Sequence, residues 1–193
     1  FGHFLIRENP GISDDELLRR SILGHALMMF SRGAPVIYYG DEQGFTGDGN
    51  DQDAREDMFP SQVASYNDNR LVGTNATTAE SNFDPNHPLY RAIAEMAGVR
   101  AAQPSLRRGR QVVRNYVETP GLFAFSRIHE GVEILVVLNT GREPLRANVE
   151  VEPTSLNWRA LHGRCSPRAG APGSVAVELA GLDYLVCIAE PAP

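Results

Sequence analysis

The fold of this 193-residue chain is decided by the segment GAPVIYYGDEQG (Gly33–Gly44). Its first half, Ala34 to Tyr39, is a continuous apolar run rich in β-branched and aromatic residues, which predicts a short strand buried on both faces. Strands of this kind belong to parallel sheets covered by helices, with which they alternate along the chain. Gly40 interrupts the run, so we expect the strand to end there and a loop to begin.

One helix is predicted before this segment and another after it. Ser13 and Glu16 form a capping box, in which their side chains satisfy free amides of the first helical turn. Apolar residues then recur at helical spacing, and Gly33 is placed to end the helix. The second helix begins at Pro88, a residue suited to a first turn, and ends at Pro104. The predicted order for residues 1–106 is therefore helix, strand, long polar loop and helix.

Residues 107–193 are predicted to form a separate antiparallel β-sandwich. Apolar and polar residues alternate from Leu145 to Val151, which is the period of a half-buried strand. Turn residues such as Pro120-Gly121 separate this run from others like it, and Trp158 is expected in the core. We predict seven strands, at 112–117, 122–128, 133–139, 145–151, 158–162, 175–179 and 184–189.

Composition and charge exclude several classes of function. The net charge is 18 − 24 = −6, and such a field repels nucleic acids and anionic membranes. No apolar run approaches the ~20 residues that span a bilayer. All 18 cationic side chains are Arg, so a Schiff-base lysine and a lysine-containing phosphate loop are absent. Cys165 and Cys187 are too few for a four-thiolate zinc site, and whether they pair stays open. Because the first residue is Phe, we expect a longer parent polypeptide.

The densest group of reactive side chains lies between Asp48 and Asp57. These carboxylates and Arg55 could bind sugar hydroxyls, bind a hard cation, or form solvated surface ion pairs. Counted from Asp48, the twelfth position of a calcium loop is Phe59 rather than Glu, so we expect no dedicated metal site. Nothing in the sequence calls for a cofactor.

The segment Gly33–Gly44 resembles the alpha-amylase family of glycoside hydrolases (family 13). In that family a similar segment forms the eighth strand of a (β/α)8 barrel and the start of the following loop. The next stretch, Asp51–Phe59, is similar to the family segment in which an Asp and an Arg four residues later line the sugar site. The resemblance covers nearly the whole chain. It implies an α/β part followed by an all-β part: the end of a TIM barrel and a Greek-key sandwich called domain C.

The resemblance also implies a function and its residues. The parent protein would be a retaining hydrolase or transglycosylase acting on alpha-glucans, and Asp51 and Arg55 would bind the substrate unless their ion pair only braces the loop. The family's three catalytic carboxylates lie on earlier strands, so we expect none here. Asp41 and Glu42 are then structural groups at the barrel mouth. The expected partners are an alpha-glucan or maltooligosaccharide and the upstream part of the same barrel.

A second function stays open at this point. The sandwich could be the active part, as a non-catalytic carbohydrate-binding or interaction module. Such a module would use exposed aromatic rings, and Trp158 is the only Trp in the chain. Whether the Trp158 side chain is exposed or buried therefore helps to distinguish the two functions.

Overall fold

A computed structural model describes residues 2–190, which divide into two compact units. The first comprises the chain up to His25 together with Pro35–Glu95, and the second comprises Ala26–Ala34 and the chain from Met96 onward. Within residues 2–190, no helix is long and apolar enough to cross a membrane. The helices are α1 (Gly2–Glu8), α2 (Asp14–Phe30), α3 (Pro88–Ala102) and α4 (Pro104–Arg108).

The two helices expected from the sequence are confirmed as α2 and α3. The backbone amide of Glu16 donates a hydrogen bond to Ser13 Oγ at 3.2 Å, which is one half of the predicted capping box. In the first unit, α2 buries Leu17 against Val72 and Leu89. Because Leu89 lies in the first turn of α3, this small core fixes the starts of both helices to the loop that contains Val72.

The segment predicted as a buried strand, Ala34–Tyr39, forms no strand. Val36 is 75% exposed and Tyr38 is 51% exposed, so burial on both faces is wrong for the chain as it stands. A strand needs a neighbour whose amides and carbonyls complete its hydrogen-bond ladder. Among the described residues of the first unit there is no such strand, and the segment therefore has no regular structure.

The β-sandwich predicted for the C-terminal part is confirmed, with all seven strands. Strand order is β1-β2-β3-β7-β5 in one antiparallel sheet and β4-β6 in the other. The chain leaves the first sheet after β3, returns for β5, leaves again for β6 and returns for β7, as in Greek-key sandwiches. The strands are β1 (Arg110–Tyr116), β2 (Leu122–His129), β3 (Val132–Asn139), β4 (Leu145–Glu150), β5 (Asn157–His162), β6 (Ser174–Leu179) and β7 (Asp183–Glu190).

One apolar core joins the inner faces of the two sheets. Trp158 lies in it, 4% exposed, with its Nε1 donating to the carbonyl of Ser155 at 3.1 Å. Cys187 of β7 is in the same core and forms a disulfide with Cys165, which settles the pairing that the sequence left open. Because Cys165 follows β5, the disulfide fastens the connection between β5 and β6 to the larger sheet.

A buried arginine closes the C-terminal end of α2 in the second unit. Arg127 of β2 is 1% exposed, and its guanidinium donates to the carbonyls of Phe30 at 2.8 Å and Gly109 at 3.0 Å. Arg100 of α3 donates to the carbonyl of Met29, in the last turn of α2, at 2.6 Å. Cations stabilise the negative end of a helix dipole, and burial lowers the pKa of Arg127. Two arginines therefore satisfy carbonyls that the helix leaves free.

A second polar group inside the sandwich is an ion network. Arg114 of β1 donates to the carboxylates of Glu133 at 2.8 Å and Glu152 at 2.6 Å, and Ser126 also bonds Glu133. Arg114 and Glu133 are buried. The hydrogen bond from Arg114 lowers the pKa of Glu152, so this carboxylate is held in the charged form.

Candidate functional site

The loop that follows Gly44 is shaped by its own backbone and by short side chains. Gly47 has a φ of +69°, and a Cβ at this position would lie 2.9 Å from Cα of Ala54. Only glycine fits this approach without strain. Further along, the side-chain oxygen of Asn50 accepts from the amides of Gln52 at 2.8 Å and Asp53 at 2.9 Å. Such an Asx turn reverses the chain and brings position 51 back toward position 55.

The loop brings together the two residues expected to bind substrate. Arg55 donates through Nη2 to Asp51 Oδ2 at 2.9 Å and through Nε to the carbonyl of Asp51 at 3.0 Å. The hydrogen bond that Arg55 donates to the Asp51 side chain raises the pKa of Arg55. The side chains are 58% and 87% exposed, and an ion pair this exposed adds little stability. Both groups thus keep solvent-facing atoms that a ligand can reach.

Tyr38 and Tyr39 interact electrostatically with Arg55. The rings of Tyr38 and Tyr39 are tilted against each other with centroids 4.5 Å apart, and both are about half exposed. Burial raises the pKa of Tyr39 to about 12, helped by a hydrogen bond with Tyr38 and by the charge of Asp57 and opposed by that of Arg55. The Tyr39 phenol therefore stays neutral at ordinary pH.

Sequence reasoning did not include the tyrosines in the site, because it assigned them to the interior of a strand. The available signal was their position directly before Gly40, where the strand was expected to end and the loop to begin. Aromatic rings beside a carboxylate and a guanidinium match the composition of small-molecule sites, which combine apolar surface with a few polar groups.

The acidic side chains of the loop do not act as one cluster. Asp48 and Asp53 each accept from an asparagine, Asn69 and Asn50 respectively. Glu56 is 1% exposed, and burial raises its pKa. No group of three or more His, Cys, Asp or Glu is placed to hold a metal ion within residues 2–190. Asn69 also donates to Glu56, so two of these three carboxylates share one asparagine.

Asp41 and Glu42, expected to be structural, turn their carboxylates onto the backbone of their own turn. Asp41 Oδ2 accepts from the amide of Tyr38 at 3.2 Å, and Glu42 Oε2 accepts from the amide of Gly40 at 3.0 Å. Gly40 has a φ of +90°, which reverses the chain just before the single turn of 3₁₀ helix Asp41–Gln43. These hydrogen bonds hold the tyrosines at the head of the loop.

Comparisons with known proteins find relatives that are named as amylases. It is 43% identical over 180 residues to a protein named alpha-amylase from Streptomyces lividans, covering 91% of this chain. It is 33% identical over 131 residues to a beta/alpha-amylase from Paenibacillus polymyxa, covering 67% of this chain. The chain spans only 20% and 9% of the lengths of these two relatives. A comparison with models of protein families found no match.

Solved structures share the fold at lower identity. The crystal structure of an Anoxybacillus alpha-amylase matches with a TM-score of 0.68 and 20% identity, over 92% of this chain and 33% of the other. The matched region includes both the helical part and the sandwich, because it takes in nearly all of the chain. The expected order of an α/β barrel end followed by an all-β domain thus agrees with the fold of a solved enzyme.

Proposed function

Because this chain belongs to the alpha-amylase family of glycoside hydrolases, we propose that it is the C-terminal portion of a retaining alpha-glucan hydrolase or transglycosylase. Residues 1–106 would complete the (β/α)8 barrel with its seventh helix, eighth strand, following loop and eighth helix. Residues 107–193 would form domain C. Active sites of such barrels are built at the C-terminal ends of the strands, which is where the loop from Gly40 to Asp57 would begin in the complete barrel.

The observation that carries the proposal is the exposed ion pair of Asp51 and Arg55, at the positions where the family motif has its sugar-binding Asp and Arg. A carboxylate accepts hydrogen bonds from sugar hydroxyls, and a guanidinium donates to them. In the 2.9 Å geometry the two side chains hold each other in place before a ligand arrives. This preorganisation lowers the entropic cost of binding an oligosaccharide.

This chain would supply binding rather than bond cleavage. A retaining glycosidase needs two carboxyl groups about 5–5.5 Å apart, one as nucleophile and one as acid and base. Asp41 and Glu42 are engaged by backbone amides at 3.2 and 3.0 Å, and neighbouring positions do not converge on one glycosidic bond. The catalytic carboxylates would come from the upstream part of the barrel, whose strands would also cover Val36 and pair with its backbone.

The proposal is tested by comparing two polypeptides, the 193-residue chain and the same chain preceded by its upstream barrel. We expect no release of reducing sugar from soluble starch by the first and turnover by the second. In the longer polypeptide, Asp51→Ala and Arg55→Ala should each lower kcat/KM about tenfold or more, the effect of losing a charged hydrogen bond to substrate. Turnover by the purified 193-residue chain would contradict the proposal, and unchanged kinetics in both variants would leave the ion pair as a brace only.

The proposed domain division has its own test. A polypeptide of residues 107–193 contains all seven strands and should unfold cooperatively on heating. The measurement is circular dichroism at increasing temperature, and a gradual, non-cooperative change would contradict the division.

The alternative function, a carbohydrate-binding module, gains no support from the sandwich. Trp158, the residue that a module would present to sugar, is 4% exposed and its Nε1 is already bonded. Titration of the chain with maltooligosaccharide, followed by Trp fluorescence, would reveal saturable binding if the sandwich bound sugar by another surface.

A further inference from the structure

We infer that Glu56 is a positioning residue: its buried carboxylate anchors the loop that carries Asp51 and Arg55. A hydrogen bond from the side-chain amide of Asn69 holds this carboxylate in place. The inference rests on the proposed function, because it concerns how the proposed substrate-binding pair is held. Glu56 directly follows Arg55 in the chain, so its placement limits where the guanidinium can lie.

Glu56 stands apart from the other carboxylates of the loop. It is 1% exposed, whereas the side chain of Asp51 is 87% exposed. A buried carboxylate is costly unless hydrogen bonds compensate it. Glu56 receives one bond on each oxygen: Oε2 accepts from the amide of Gly47 at 3.2 Å, and Oε1 accepts from Nδ2 of Asn69. The two donors lie on different segments, so the carboxylate ties both to the loop.

Asn69 uses one amide group to bridge two carboxylates. Its Nδ2 donates to Glu56 Oε1 and, at 2.7 Å, to Asp48 Oδ1. An amide nitrogen has two hydrogens, and each carboxylate takes one. The bridge also places a donor between two like charges, which would otherwise repel each other. Loss of Asn69 would therefore weaken the loop at both of these positions.

The backbone of Asn69 is held by hydrogen bonds of its own, so its side chain can fix the position of the loop. Its amide donates to Oγ1 of Thr78 at 3.1 Å, and the amide of Thr78 donates back to its carbonyl at 3.0 Å. Thr78 is fully buried, and an antiparallel bridge joins the adjacent residues Arg70 and Thr77. The connection thus runs from this short hairpin through Asn69 to Glu56, and from there along the chain to Arg55.

The first test measures amide hydrogen exchange in the 193-residue chain, where no catalysis is needed. Glu56→Ala removes both acceptors, and exchange over residues 47–56 should become at least about tenfold faster. Glu56→Gln keeps one acceptor but turns an NH2 group toward a donor, so its exchange should be intermediate. The matched control is Glu80→Gln at an exposed carboxylate of the same unit, which should leave exchange unchanged. Equal exchange in Glu56→Ala and Glu80→Gln would overturn the inference.

The second test uses the longer polypeptide that contains the upstream barrel, with maltooligosaccharide as substrate. Glu56→Ala should raise KM about tenfold and change kcat less than twofold, because the pair it positions binds substrate and does not react. A merely structural role would lower kcat through loss of folded enzyme and leave KM unchanged, and that result would overturn the inference. Glu56→Gln should raise KM less than Glu56→Ala does.

A double variant separates this inference from the proposed function. If Glu56 acts through Arg55, then Glu56→Ala should change KM less than twofold in an Arg55→Ala background. A further tenfold increase in KM in this background would overturn the positioning role. If Arg55→Ala alone leaves KM unchanged, the proposed substrate-binding role of Arg55 fails, and faster exchange in Glu56→Ala would still support Glu56 as the anchor of the loop.

Discussion

Breaking the disulfide between Cys165 and Cys187 should destabilise the sandwich by about 3 kcal/mol. The two cysteines are 22 positions apart, and a cross-link that closes a loop of this length removes conformational entropy from the unfolded chain worth about 3 kcal/mol at 25 °C. Cys187 is 3% exposed, so replacing it would also leave a cavity in the core. Reducing the native chain avoids this complication, because no side chain is removed.

The assay is urea unfolding followed by fluorescence of Trp158, the only Trp in the chain and a member of the sandwich core. With a slope of about 1.5 kcal/mol per molar urea for a unit of this size, the midpoint should fall by about 2 M on reduction. The variant Cys165→Ala serves as the control: it should match the reduced native chain and should not respond to reductant.

Coincident midpoints for the oxidised and reduced native chain would refute the reasoning. That result would mean that the β5–β6 connection is held as firmly by its packing and hydrogen bonds as by the cross-link. A loss well above 3 kcal/mol would instead indicate that the sandwich repacks around the free thiols.

Three further predictions concern other parts of the chain. Arg127→Lys should lower the free energy of unfolding by about 1–3 kcal/mol, since one ammonium group cannot serve both carbonyls that the guanidinium reaches; urea unfolding measures this, and a native midpoint would contradict it. Since bonding to Arg114 lowers the pKa of Glu152, the sandwich should keep this contribution above the carboxyl's unfolded-state pKa and lose it as pH falls through the lower folded-state value. In the variant Glu152→Gln, the free energy of unfolding should fall less steeply as the pH decreases. An identical pH profile for the variant and the native chain would count against the ion network. The 193-residue chain should self-associate through the exposed segment that contains Val36 and Tyr38. Light scattering tests this, and a monodisperse monomer at high concentration would show that the exposed segment does not cause self-association.

Local signals explain which parts of the fold could be predicted from the sequence. The capping box at Ser13 and the alternation from Leu145 to Val151 depend on neighbours in the chain, and the predicted helix and strand formed there. The strand expected at Ala34–Tyr39 depends on partners far away in sequence, and no local pattern can provide them. Helix α1 has no comparable signal, because its seven residues contain neither a capping box nor a full apolar period.

Part of the candidate site could be predicted from the sequence for the same reason. Asp51 and Arg55 are four residues apart, and the structure joins them directly. Glu56 carries the same charge as its neighbours in the loop, so spacing could not show that it alone would be buried. Its burial depends on Asn69, which lies 13 positions away and is placed by a separate hairpin.

The guanidinium of Arg127 also limits how this protein can be chemically labelled. The chain has no lysine, so amine-reactive dyes and crosslinkers find no side chain to modify, and a handle has to be introduced by replacing a residue. Arg-to-Lys exchange is a natural choice because it keeps the charge, but it is not equivalent at every position. Arg146 is 81% exposed in a surface ion pair and can become an attachment point, whereas position 127 has to keep the planar group that spans two carbonyls.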